Sequence, residues 1–177
     1  KKGGFDVVIA NPPYIRQEEI SNKDELKKEY RIFNSVADLY TYFYERGLKL
    51  LRKGGVLTFI TSSKFTRARY GFNLRRYLKV NTSLKSIVNF EDKHVFEAIT
   101  NTLILISTKQ NAENNTFNYS DSIDEPSKVI FPQSELNDSE WTIEEPGIIH
   151  LKNKIEQLGT PLRNWDVKIN RGLLTGY

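Results

Sequence analysis

FDVVIANPPY, residues 5–14, is the stretch from which the rest of this 177-residue chain can be read. Its first six letters form a short apolar run with three β-branched residues, Val7, Val8 and Ile9, the pattern of a strand buried on both faces. Asn11-Pro12-Pro13-Tyr14 follows at once and therefore falls at the carboxyl end of that strand. Sheets of α/β proteins bind their ligands at that end. At average residue usage these four types fall together by chance in roughly one chain in a thousand of this length. Two prolines also lock φ, so the same residues can serve as a rigid strand-ending turn. The four letters alone leave both readings open.

Outward from this stretch the pattern is that of an α/β protein. Residues 16–34 are polar and charged and predict a loop with a short helix at about 23–30. Ser35-Val36-Ala37-Asp38 has the form of a capping box, and Val36, Leu39, Tyr40, Phe43, Leu50 and Leu51 recur behind it at helical spacing up to Gly54-Gly55. GVLTFIT (55–61) is the next buried strand. Leu74, Tyr77 and Leu78 predict a helix at about 70–80 with Arg75, Arg76 and Lys79 on its opposite face. LKSIVNF (84–90) and TLILIS (102–107) are two further strands, joined by a connection too short for a parallel crossover, so that pair is expected to be antiparallel. Strand and helix alternate, as in an α/β fold. Residues 109–145 read as long and irregular with a short strand at 128–131. Ile148, Leu151, Ile155 and Leu158 mark a helix after Pro146 that stops at Gly159, and WDVKINRGLLTGY (165–177) reads as the opening of something that continues.

Composition removes several classes of chemistry. With no cysteine there is no disulfide scaffold, thiolate metal site or cysteine nucleophile. His94 and His150 lie far apart without carboxylates at ligand spacing, so no metal site is expected and neither histidine is given a role. No apolar run approaches the ~20 residues of a membrane helix. The chain opens Lys1-Lys2-Gly3-Gly4 and runs straight into the first strand, which leads us to expect no signal peptide, and the missing start Met an internal piece of a longer protein. The net charge of +4 is unevenly spread. Residues 64–85 hold seven basic side chains and no acid, whereas 113–145 hold nine acids against Lys128 alone. The basic run is either a solvated helix face or a surface for phosphates.

The NPPY segment suits one difficult reaction. An exocyclic amino group on adenine is a poor nucleophile because its lone pair is delocalised into the ring. Two acceptors aimed at its hydrogens draw the nitrogen towards tetrahedral geometry and free that pair. Asn11 has a side-chain carbonyl, and the backbone carbonyl of Pro12 is a second acceptor held by the proline after it. Tyr14 offers a face to a planar base. No strong general base is needed, because the proton can leave after the methyl group arrives.

FDVVIANPPYI resembles motif IV of the amino-methyltransferases, and further pieces match in order. ADLYTYFYERGLKLLRKGGVLTFITSSKF, GFNLRRYL, HVFEAITNTLILIS and VKINRGLLTGY are similar to successive segments of the second half of an N6-adenine DNA methyltransferase, the class typified by TaqI and by fused type IIG restriction–modification enzymes. The resemblance implies an α/β fold: part of a Rossmann-like methyltransferase sheet with an antiparallel last strand, then an irregular region and a helix leading to a truncated recognition domain. It implies catalytic-domain residues 1–110, a connection over 111–162 and the start of target recognition over 163–177. It implies S-adenosyl-L-methionine as cofactor, no metal for methyl transfer, and double-stranded DNA as partner in the cytoplasm of a bacterium or archaeon. Asn11, Pro12, Pro13 and Tyr14 would be catalytic, Tyr14 and Phe96 would meet the extruded adenine, and Asn11 would also border the cofactor. Lys64, Arg67, Arg69, Arg75 and Arg76 are expected at the DNA backbone, with Ser62, Ser63 and Lys64 facing cofactor, DNA or a plain turn.

The family places its glycine-rich cofactor loop and ribose-binding acid on strands before motif IV, and neither precedes Lys1 here. The expected partner is therefore the N-terminal half of the same polypeptide, and the piece alone is expected to be inactive. It is also expected to cover the edge at residues 5–10 by self-association or with a rearranged segment of its own. The alternatives are an N-methyltransferase acting on protein glutamine or RNA, and a non-catalytic DNA-binding domain with a methyltransferase-like sheet.

Overall fold

The computed structural model describes residues 3–90, 101–124, 129–143 and 146–167. The chain divides into two compact units, Lys1–Ile143 and Glu144–Tyr177. In the second, the apolar period of residues 148–158 forms a helix, Pro146–Leu158, followed by a short turn at Leu162–Asn164. The first unit is built on a six-stranded sheet. In chain order it contains β1 (Phe5–Ala10), α1 (Lys23–Glu29), α2 (Tyr40–Leu50), β2 (Leu51–Ser62), α3 (Lys64–Arg67), α4 (Phe72–Asn81), β3 (Ser83–Asn89), β4 (Thr102–Thr108), β5 (Thr116–Ser120) and β6 (Val129–Pro132). The spatial order is β1-β2-β4-β3-β5-β6.

β4 is antiparallel to both β2 and β3, so β1, β2 and β3 all run the same way and end at one side of the sheet. The antiparallel β3–β4 pair follows the reading of the short connection. The stretch read as irregular adds two strands rather than one: β6, close to the expected 128–131, and β5, which buries Phe117 and Ser120. A second difference lies at the start of α2. Ser35-Val36-Ala37-Asp38 caps nothing: the helix begins at Tyr40, Val36 is exposed, and the Asp38 carboxylate is engaged elsewhere. Helix and strand then meet without a loop, and Gly54 takes a φ of 75° inside β2. The register with β1 slips there, Phe5 facing Leu51 and Val7 facing Val56.

One face of the sheet carries the core. Leu57, Phe59 and Thr61 of β2 point towards α2, where Gly47 lets the helix close in: a Cβ there would stand 2.8 Å from Leu57 Cδ1 and 2.9 Å from Phe59 Cζ. Tyr44 and Phe65 complete the cluster, with ring centroids 5.4 Å apart. Each such ring, fully withdrawn from water, contributes on the order of 2–3 kcal/mol. The opposite face is open. Ile9 (74% exposed), Thr58 and Ile106 lie in one cross-strand row, and Ile60 and Ile104 in the next, all exposed or half-buried. This corrects the expectation that residues 5–10 are buried on both faces. β1 is an edge strand of the sheet, paired among the described residues with β2 alone, and α2 packs on the Leu57–Phe59 face. Among the described residues no segment pairs with the free edge of β1.

Candidate active site

Ala10 pairs with Phe59, so Asn11 leaves the sheet beside Ile60 at the end shared by β1, β2 and β3. Pro12 is buried, Asn11 and Pro13 are exposed, and Tyr14 is half-buried. Among the described residues the Asn11 carboxamide has no hydrogen-bond partner. This separates the segment from an ordinary turn, in which an asparagine spends its side chain on nearby backbone. Two other asparagines of the chain do so: Val36 N donates to Asn34 Oδ1 at 3.1 Å, and Ser139 N donates to Asn137 Oδ1 at 2.9 Å.

The residues after Asn11 are held from two sides. The Tyr14 hydroxyl donates a long hydrogen bond, 3.4 Å, to Ile60 O, and its ring lies against Tyr40 with centroids 6.0 Å apart at 41°. Burial pushes the Tyr14 phenol above its ordinary range, so it is neutral at physiological pH. The Tyr40 hydroxyl in turn meets that of Tyr70 at 3.1 Å. Leu39 N donates to Ile15 O at 3.0 Å, and Gln17 N donates to Asp38 Oδ1 at 3.1 Å. Lys23 Nζ adds bonds to Gln17 Oε1 at 2.7 Å and Ser35 O at 3.0 Å. Asp38 thus ties the loop to the start of α2. Sequence reading missed this role, because an acid three residues after a serine looks like a cap.

The basic run splits. Lys64 and Arg67 on α3, Arg69 just after it and Arg76 on α4 are exposed. Arg75 is not, and its assignment to the DNA backbone is corrected: it is 0% exposed. Its Nε donates to Asp138 O at 2.9 Å, its Nη1 to Phe65 O at 2.5 Å and Ala68 O at 2.8 Å, and its Nη2 to Ser139 O. A guanidinium can be buried without a carboxylate when its fork of donors is filled in this way. Ser62 is also buried, its hydroxyl accepting from Lys64 N at 3.3 Å, whereas Ser63 and Lys64 line a cavity together with Arg67. Phe96 and His94 lie outside the described residues. Among the described residues no group of three histidine, cysteine or acidic side chains is placed to hold a metal, and no helix is long and apolar enough to cross a membrane.

The family model for the Eco57I restriction-modification methylase matches residues 1–96. Over 98 residues, 52% of this chain, the sequence is 43% identical to the type II methyltransferase M.BstVI of Geobacillus stearothermophilus. Over 172 residues, 88% of this chain, it is 29% identical to the type II restriction enzyme and methyltransferase RM.Eco57I of Escherichia coli. The chain spans 17% of the length of each of these two relatives. Among solved structures, the type I restriction-modification system methyltransferase subunit from Streptococcus thermophilus shares the fold at a TM-score of 0.53 and 15% identity, covering 91% of this chain and 34% of that one.

Proposed function

The chain belongs to the Eco57I restriction-modification methylase family, and from that premise we propose that its Asn11–Tyr14 loop serves to methylate N6 of adenine in double-stranded DNA, within a bacterial or archaeal restriction–modification enzyme of the cytoplasm. The observation that carries this reading is the Asn11 carboxamide: it stands without a described partner at the open end of a strand, on a loop pinned by Ile60, Leu39 and Asp38.

The donor set fits one margin of S-adenosylmethionine, the Asn11 side chain, and no further part of a pocket is assigned on this chain. That cofactor, when bound, supplies an electrophilic methyl group on a positively charged sulfur. Asn11 Oδ1 and the Pro12 carbonyl accept the two amino hydrogens of the base and localise the nitrogen lone pair along the direction of transfer. The nitrogen would gain the methyl group as the sulfur–methyl bond breaks, the positive charge passing from sulfur to nitrogen and a neutral thioether leaving, and would then release one proton to water. Tyr14, neutral and braced by Tyr40, offers its exposed side to the base. Extruding that base costs a few kcal/mol, of which stacking returns about 1–3 kcal/mol. Phe96 is retained as a second base contact, the exposed cations as phosphate contacts, and 163–177 as the start of target recognition. The open β1 edge, with Phe5, Val7 and Ile9 exposed, supports self-association of this chain when it stands alone.

The test is transfer of labelled methyl from S-adenosylmethionine by the full-length enzyme to duplex DNA, RNA or protein, with and without Asn11→Ala. Duplex DNA should be labelled on adenine, and Asn11→Ala should lower kcat by roughly 10²-fold or more with DNA affinity nearly unchanged. A normal rate in the variant, or label on RNA or protein in place of DNA, would refute the reading.

A further inference from the structure

Three residues beyond Ile60, where the Tyr14 hydroxyl is anchored, β2 ends at a cavity of about 530 Å³. Ser63, Lys64, Thr66, Arg67, Asn89 and Asn101 line it, so among the described residues its wall has two cations, several neutral donors and no acid. Paired cations elsewhere in the sheet unit have clear structural duties: Arg46 with Glu29, Lys49 with Glu45, Arg52 with Asp6, and Lys79 with Asp138. Among the described residues the side chains of Lys64 and Arg67 have neither an ion pair nor a hydrogen bond.

The wall that carries them is fixed from several directions. Ser63 N donates to Asn101 O at 2.8 Å, which joins the end of β2 to the start of β4, and Asn101 sits at a φ of 68° to do so. Thr66 Oγ1 donates to Ser63 O at 2.8 Å, and Trp141 N donates to Thr66 O at 2.8 Å. Behind the wall Arg75 clamps Phe65 O and Ala68 O. The Arg75 guanidinium is spent on these carbonyls and lies in the field of Glu140 and Asp138, so the charge offered to the cavity is that of Lys64 and Arg67.

We propose that this cavity holds a backbone phosphodiester of the DNA strand whose adenine lies at Asn11, with Lys64 and Arg67 as its charge partners and Ser63 and Asn101 as neighbouring polar contacts. Three residues of extended chain span about 10 Å, so a base at Asn11 leaves its own backbone within reach of Lys64. The proposal rests on the DNA reading above. It divides the basic run into a built pocket, a buried clamp at Arg75 and an outer pair, Arg69 and Arg76.

The experiment measures duplex binding by the full-length enzyme against salt concentration, for wild type, Lys64→Gln, Arg67→Gln and the double variant. Lys53→Gln, at the other end of β2, is the control for charge alone. Each pocket variant should lower the slope of log affinity against log salt by about 0.9, the double variant by about 1.8, and the control by nothing. Replacing one phosphate beside the target adenine by an uncharged methylphosphonate should weaken wild-type binding and leave the double variant unaffected. An unchanged slope in the double variant would overturn the pocket. Inorganic phosphate competing as well as an oligonucleotide at equal phosphate concentration would overturn its assignment to a DNA strand. These readouts need binding and no turnover, so a wild-type enzyme that binds DNA but transfers no methyl group would refute the catalytic reading and leave the pocket standing.

Discussion

Arg75 is where the structure departs furthest from a surface reading of the basic run, and replacing it by methionine is the sharpest test of the fold. Methionine keeps the length and apolar stem of the side chain but donates nothing. Four carbonyls, those of Phe65, Ala68, Asp138 and Ser139, lose the Arg75 donor, Ala68 O keeping its bond from Gly71 N, and the bond to Phe65 is the fully buried one. An orphaned buried carbonyl costs about 1–3 kcal/mol, and the three part-buried ones recover some of theirs from water. The sum is about 3–5 kcal/mol. At ~2–4 °C per kcal/mol for a unit of this size, Tm should fall by on the order of 10 °C. Arg75→Lys keeps the charge with three donors on one nitrogen and should lose about half as much. Gly71 sharpens the expectation: a Cβ there would stand 2.6 Å from Arg75 Nη1 and 2.0 Å from Phe65 O, so this corner has no spare room for repacking. The assays are denaturant unfolding of the sheet-bearing chain and DNA binding against salt. An Arg75→Met protein within 1 kcal/mol of wild type, but with a salt slope reduced by about 0.9, would show that Arg75 is a phosphate contact after all.

Asp38→Ala in the full-length enzyme should lower kcat about tenfold by loosening the loop after Tyr14, whereas Asp38→Asn, which still accepts from Gln17 N, should stay within about twofold; equal rates for both would remove Asp38 from the site. Burial holds the Tyr40 and Tyr44 phenols well above their ordinary value of 10.0. Their neutral forms are favoured in the folded state, so stability should be flat below pH ~10 and fall above it as the unfolded chain ionises first; Tyr44→Phe should reduce that alkaline loss, and urea unfolding at pH 8 and 10.5 reads it. Ile9→Lys, placing a charge on the most exposed large apolar residue of β1, should shift the isolated chain towards monomer in sedimentation velocity, and identical profiles would discount the edge.

What was legible in the sequence followed from strong local patterns. The apolar runs at 55–61, 84–90 and 102–107 became strands that hide their aliphatic side chains, and the run at 5–10 became a strand by pairing with β2 although its side chains stay exposed or half-buried. NPPY was legible as a candidate site by its position after the first of them. The order of the strands was not legible, because β4 pairs as readily with β2 as with β3 and its run says nothing of the second partner. β5 was missed because TFNYS is mostly polar, as suits a short strand with one side half in water. Asp38 and Arg75 were misread for one reason. Each looks local in the sequence, a cap and a helix-face cation, yet the acceptor or donor it serves lies 21 residues away in one case and up to 64 in the other.

The same separation has a temporal side. β3 borders β4 and β5, both of which come later in the chain, and the inner neighbour of β2 is β4. A nascent chain extending to residue 90 can pair β1 with β2 but has no sheet position for β3. Arg75 waits longer, since its first acceptor beyond α4, Asp138 O, is 63 residues downstream. At ~5–20 residues per second that is about 3–13 s of synthesis. Until then the guanidinium is better hydrated than half-clamped, so α4 and the wall of the phosphate cavity should set only as the last stretch of this unit leaves the ribosome.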